Sequence, residues 1–362
     1  MNNDKYRLSS FQLFALILGV VVGGGLVNIP ADLALVVEHE GWISVLMAGA
    51  FTFIIIQLGL SINKDYPDKN ILEISEYILG KYPGKILNGL LTLYFILIAG
   101  ISVRVALNLI LTWSLPKTPI EVLIIFYLFN AAYLGRNGLQ SVARFSEVIV
   151  IMLLPILLLV FLPFREWNFI ELQPFAKQSI STYFAGAAQS FYSFLGFEII
   201  FLVYPYVRRS HKRIQLVSSI SLGYIIFGYF SMVLFATASF GAERLKGMLY
   251  TIINYSQAIN LPVIERVDFL LIFFWTFALF HTTALLYYMG TFSLRHVFSL
   301  GKNWSFYLIL PTYYIALYPQ NPAELSKYSK YVSNGGIAVI FFTLVILKVG
   351  SYFKKNKANP KN

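Results

Sequence analysis

Cysteine is absent from all 362 residues, which excludes disulfides, thiolate nucleophiles and Cys-ligated metal centres. Charge is scarce: 12% of the residues are Asp, Glu, Lys or Arg, about half the share of a water-soluble domain. There is no Walker A loop, no GxSxG elbow and no HExxH helix. His281 has no second histidine or carboxylate at ligand spacing. No enzyme, metal or cofactor is expected from such a chain. The polar start, residues 1–10, is followed by no small-residue cleavage site, so no cleavable signal is expected.

What is present is apolar bulk, 57% of the residues, with a mean hydropathy of +0.68. The reading is an all-α membrane protein. Ten apolar segments lie at about 11–37, 42–62, 86–115, 119–135, 145–163, 181–206, 214–239, 267–294, 304–319 and 334–353. Each is near the ~20 residues that cross ~30 Å of hydrocarbon. An even count puts both ends on one side of the bilayer. The loops on that side hold 19 Lys and Arg, the opposite loops hold 8, and Arg104 lies within a span. Positive charge gathers on the cytoplasmic side, so both termini are expected there. The cluster RRSHKR, Arg208–Arg213, is the strongest anchor. The net charge of +11 thus reads as orientation at a lipid surface rather than as nucleic-acid binding. Two connections are more than turns. Residues 70–80 have the spacing of a short interfacial helix. Residues 240–266, with Glu243, Arg244, Lys246, Glu265 and Arg266 around MLYTII, read as an external helix capping a cavity or as a plain spacer.

The first span, GVVVGGGLVNIPADLA over residues 19–34, carries Gly23, Gly24, Gly25 and Pro30. Glycine costs about 1 kcal/mol in a helix interior and proline about 3, so a discontinuous helix is expected. In lipid, unwound backbone is tolerated only against protein or a cavity. The sixth span repeats the pattern, with Gly196 and Pro205 in SFLGFEIIFLVYPY over residues 193–206. Spans one to five (11–163) and six to ten (181–353) then form two inverted repeats, followed by a basic tail, 354–362. Matching breaks in such halves point to a midplane site. Free N–H groups suit a carboxylate and free C=O groups an ammonium or metal cation. That geometry favours an amino acid. Close helix packing is the competing explanation for each glycine.

Charges at membrane depth are functional hypotheses. Asp32 and Arg104 lie at matching depths and are expected to form an ion pair or an entrance gate. Glu198 is either a proton or cation site or a hydrogen-bonding cap on the unwound segment. The hydroxyls of Thr282 and Thr283 on span eight are expected to join carbonyls of the first break in coordinating Na⁺ or hydrogen-bonding a ligand, or else to bond their own helix. Tyr94 and Ile98, one turn apart on span three, can floor the cavity.

Four stretches together carry a resemblance: VVGGGLVNIPADL (21–33), NILEISEYILGKYPGKIL (70–87), NGLQSVARFSEVIVIMLLPILLL (137–159) and SFLGFEIIFLVYPYV (193–207). They resemble the spore germination permease family, the B subunits of spore germinant receptors, within the amino acid/polyamine/organocation transporter superfamily. The resemblance implies a fold of the leucine-transporter type, ten helices with helices 1 and 6 discontinuous. It implies a component of the inner membrane of an endospore that binds a germinant, usually an amino acid. Its implied partners are an A subunit with soluble domains and a lipoprotein C subunit. The ligand-facing positions it implies are Gly23, Gly24, Gly25, Tyr94, Ile98, Leu195, Gly196, Phe197, Glu198, Thr282 and Thr283. Three functions stay open: a germinant sensor, an ion-coupled amino-acid transporter, and a structural subunit with a vestigial pocket.

Overall fold

The computed structural model describes residues 8–259 and 266–358, and among these every regular element is helical. Lys5, Arg7, Glu265 and Lys361 lie outside the described residues. Helix α1 (Ser10–Val21) starts at a capping box, in which the Ser9 hydroxyl accepts the Gln12 N–H and the Gln12 side chain accepts the Ser9 N–H. These contacts pair N–H groups left without intrahelical partners at a helix start. Helix α2 (Ile29–Val37) ends where Glu38 takes a φ of +54° and turns the chain into α3 (Gly41–Asp65). The short helix expected over residues 70–80 is α4 (Ile71–Leu79), capped by Asn70 with Glu73. Helices α5 (Lys81–Trp113), α6 (Ile120–Arg136) and α7 (Leu139–Leu159) complete the first half. The second half holds α8 (Ile180–Phe191), α9 (Ile199–Val203), α10 (His211–Lys246), α11 (Thr251–Gln257) and α12 (Val267–Phe298), then α13 (Trp304–Tyr307), α14 (Ile309–Leu317) and α15 (Pro322–Ala358).

Among the described residues, five stretches are long and apolar enough to cross a membrane: Ile29–Asp65, Lys81–Trp113, His211–Lys246, Val267–Phe298 and Pro322–Lys354. A sixth is a bent pair, Ile180–Phe194 with Ile199–Tyr206, which turns by 42° at its break. The other apolar segments form shorter or divided helices. Large apolar side chains, among them Ile54, Phe126, Ile151 and Phe342, stand exposed on the helix surfaces. A protein in water would bury them, and a lipid-facing surface does not need to.

Helices α5 and α12 form the principal packing of the bundle. One end of the bundle gathers the positive loops. The Leu8 N–H donates to the Tyr206 carbonyl at 2.7 Å, and Arg208 N–H donates back to Leu8 at 3.1 Å. His296 meets Glu76 of α4 at 3.2 Å, and Lys354 lies 3.5 Å over the Tyr77 ring.

Both interrupted helices are seen. In the first, α1 stops at Val21, Val22 is extended (ψ 90°), and Gly23 takes φ −152°, ψ −129°. A 3-10 turn, Gly24–Val27, follows, and helix resumes at Ile29 with Pro30 in its first turn, where its missing N–H matters least. In the second, a 3-10 turn Tyr192–Phe194 leads to extended Leu195 and to Gly196 at φ +108°. That left-handed value is open to glycine and strained for other residues.

Candidate functional site

The two breaks touch. A Cβ on Gly25 would come 2.5 Å from Ser193 Cα, and one on Gly196 would come 2.8 Å from Val20 Cγ2. Glycine is therefore required at both places for one backbone to approach the other. Gly23 and Gly24 are equally confined, by Thr282 at 2.3 Å and Val105 at 2.7 Å. Packing and site-building are thus the same property of these glycines.

Against this junction lies a cavity of about 470 Å³, within the range of small-molecule sites. Its floor is Gly24, Gly25 and Ser193 at the breaks. Asn28 and Asp32 come from the start of α2, Val105 and Asn108 from α5, and Ser190 and Tyr192 from the end of α8. Met248 and Tyr250, between α10 and α11, line one side, so part of the segment expected to be a cap or a spacer borders the cavity. Its anchor is Asn28, whose side-chain oxygen accepts the Tyr250 N–H at 2.7 Å. The remaining wall is the first turns of α15.

The charges in this cavity are few. The Asp32 carboxylate has no hydrogen bond or ion pair among the described residues, while its backbone N–H donates to the Asn28 carbonyl at 2.9 Å. Lys246 is held by Glu243 at 2.6 Å, whereas Lys330 has no acidic partner among the described residues.

The expected Asp32–Arg104 ion pair does not form. Val105, Asn108 and Leu109 present one face of α5 to the cavity, and Arg104 sits about 100° round the helix from Val105. Its guanidinium is buried with Nε unpartnered, and the carboxylate whose charge reaches it is that of Glu121. Equal depth did not fix azimuth.

Other expected ligand contacts stand elsewhere. The Thr282 hydroxyl donates to the Gly19 carbonyl at 2.9 Å, and the Tyr229 hydroxyl contacts the Val21 carbonyl at the same distance. These are carbonyls at the end of α1, where intrahelical donors run out. The free carbonyls expected to face a cation are thus engaged by hydroxyls of α12 and α10. Thr283 pairs with Ser102 at 3.2 Å. Leu195, Gly196, Phe197 and Ile98 are buried off the cavity. Glu198 accepts the Tyr94 hydroxyl at 3.1 Å and the Gly196 N–H at 2.8 Å, which is the capping arrangement. It borders a separate void of about 20 Å³ with Phe95, Ile340 and Thr343, room for about one water. His281 is fully buried and bonded to Ser146 at 2.7 Å, a packed histidine.

Residues missed in the sequence are Asn28, Tyr192, Ser193, Tyr229 and the polar face of α15. The α15 signal was available: Ser326, Ser329, Lys330 and Ser333 recur at helical spacing. Starting the last span at residue 334 left them in a loop.

A family described as "Spore germination protein" matches residues 7–325. Among curated relatives, spore germination protein A2 of Bacillus subtilis is 24% identical over 96% of this chain and 95% of its own length. Spore germination protein B2 of the same organism is 23% identical over 94% of each chain. Spore germination protein YndE, also of Bacillus subtilis, is 22% identical over 98% of this chain and 99% of its own.

Proposed function

Because the chain belongs to the spore germination protein family, a family of non-enzymatic membrane proteins, we propose that it is the germinant-sensing B-type membrane subunit of a spore germinant receptor. It binds a small zwitterion, an amino acid, in the hollow beside the two breaks. Binding shifts the bundle, and A and C subunits carry that shift towards germination. The observation that carries this reading is the 470 Å³ cavity floored by Gly24, Gly25 and Ser193, with an unpaired carboxylate, Asp32, at its edge. A ligand changes such a protein only by binding one of two states more tightly. In this reading the two touching interrupted helices are the element that shifts.

The same reading assigns ten crossings in two inverted five-helix repeats, α1–α7 and α8–α15, with the first and sixth discontinuous. Its support is the pair of breaks at corresponding places and the short, divided helices between the five long ones. The same reading takes both termini as cytoplasmic, supported by the positive-inside bias, and takes the membrane as the inner membrane of the endospore, by analogy with the family's B subunits.

Binding of a panel of labelled amino acids to the purified chain, with and without Na⁺, tests the reading. Uptake by liposomes holding the chain alone is measured in parallel. A sensor binds without concentrating its ligand; a permease concentrates it; a vestigial pocket does neither.

A further inference from the structure

Helix α15 has 37 residues, about 55 Å at 1.5 Å per residue, far more than ~30 Å of hydrocarbon. Its first turns, PAELSKYSKYVSN, extend beyond the apolar part and line the cavity through Ser326, Ser329, Lys330 and Ser333. These positions form one face. Lys327 and Tyr331 lie off it and contact each other at 5.9 Å as cation and ring. This face falls past residue 325, where the family match ends.

A second observation points to a ligand. Ser333 is 2% exposed and its hydroxyl has no partner among the described residues. Buried hydroxyls are nearly always hydrogen-bonded. Thr92, Ser146, Ser221, Thr237 and Thr291 all donate to the carbonyl four residues back. Ser333 does not, and of the unpartnered buried hydroxyls it is the one that lines the cavity. Ser329 lines the cavity together with Tyr192 of the second break, so this wall faces the interrupted helix.

We propose that the first turns of α15 are the specificity-determining wall of the cavity for a zwitterionic amino acid. Ser333 hydrogen-bonds the ligand, Lys330 holds its carboxylate, and Asp32 receives its ammonium. Resting on the ligand-binding reading above, the assignment adds the residues that decide which ligands are accepted. An uncharged analogue or a simple amine satisfies only part of the wall.

The cysteine-free chain gives a test without background. Full-length S329C, S333C and S218C variants in nanodiscs are treated with cationic and anionic water-soluble methanethiosulfonates. S218C replaces a buried serine that does not line the cavity. S329C and S333C are expected to react at least about tenfold faster than S218C, and a bound amino acid to slow them about fivefold. Against the wild-type chain, S333A weakens amino-acid binding about five- to tenfold, the loss of one hydrogen bond. K330M removes the preference for the amino acid over its methyl ester. Reactivity equal to that of S218C, or S333A and K330M chains that bind amino acid and ester as wild type does, overturns the assignment and leaves the ligand reading intact. A wild-type chain that binds no amino acid overturns both.

Discussion

The Tyr229 hydroxyl lies 2.9 Å from the Val21 carbonyl and 2.9 Å from the Ser193 carbonyl, so one side chain of α10 joins the ends of both interrupted helices. The hydroxyl has one proton for two acceptors, which makes this a shared, three-centre contact. Removing it leaves two buried carbonyls short of a donor, at about 1–3 kcal/mol. Tyr229→Phe keeps the ring packed on Phe194 and is expected to lower the thermal midpoint followed by tryptophan fluorescence. An unchanged midpoint would mean that these carbonyls find other donors.

The glycines at the breaks are expected to differ sharply from those elsewhere. Gly25→Ala forces a methyl against the Ser193 backbone, an overpacking cost of about 1–3 kcal/mol. Gly196→Ala adds a φ of +108°, worth about 1–3 kcal/mol more. A methyl on Gly223 meets nothing within 4 Å, and Gly223→Ala is expected to be neutral or stabilising by about 0.5–1 kcal/mol. The melting order should therefore be Gly223→Ala, then Gly25→Ala, then Gly196→Ala. Equal midpoints for all three would remove the close contact between the breaks.

The breaks were legible because glycine and proline act through the backbone, and backbone cost depends on local sequence. Gly23–Gly25 with Pro30, and Gly196, marked them within a few residues. The capping residues Ser9 and Asn70 acted in the same local way. Azimuth was not legible: one residue, about 100° round the helix, separates Val105 in the cavity from Arg104 outside it. Nor was it readable that Thr282 and Tyr229 would engage the α1 carbonyls, because those contacts join residues more than 200 positions apart. The polar face of α15 was hidden by a boundary drawn from hydropathy, which drops where a helix leaves the lipid although the helix continues.

Asp32 and Arg104 are expected to act independently. No ion pair joins them, so the losses of stability in Asp32→Asn and Arg104→Ala should add within about 0.5 kcal/mol in the double variant. Binding should separate them further. Asp32→Asn removes the cavity carboxylate and is expected to weaken amino-acid binding at least about tenfold, the scale of a charge-assisted hydrogen bond. Arg104→Ala, off the cavity, should change it little. Rescue of one substitution by the other would restore the ion pair.

Glu198 distinguishes a cap from a proton carrier. Its two oxygens accept from Tyr94 on α5 and from the Gly196 N–H, so the carboxylate clasps the second break to α5. Glu198→Gln can still accept through one oxygen, but its amide nitrogen cannot accept from the other donor. Tyr94→Phe removes the hydroxyl alone. If Glu198 is a clasp, each substitution lowers the thermal midpoint by the loss of about one hydrogen bond, about 1–2 kcal/mol. The pair then shows a coupling of about 0.5–3 kcal/mol in a double-mutant cycle, as residues in direct contact do. Amino-acid binding by Glu198→Gln keeps the pH dependence of the wild-type chain. If Glu198 instead takes up a proton when ligand binds, that pH dependence disappears in Glu198→Gln while the midpoint stays close to wild type. The two hydrogen bonds favour the first outcome, because a carboxylate already engaged by two donors holds its position through them.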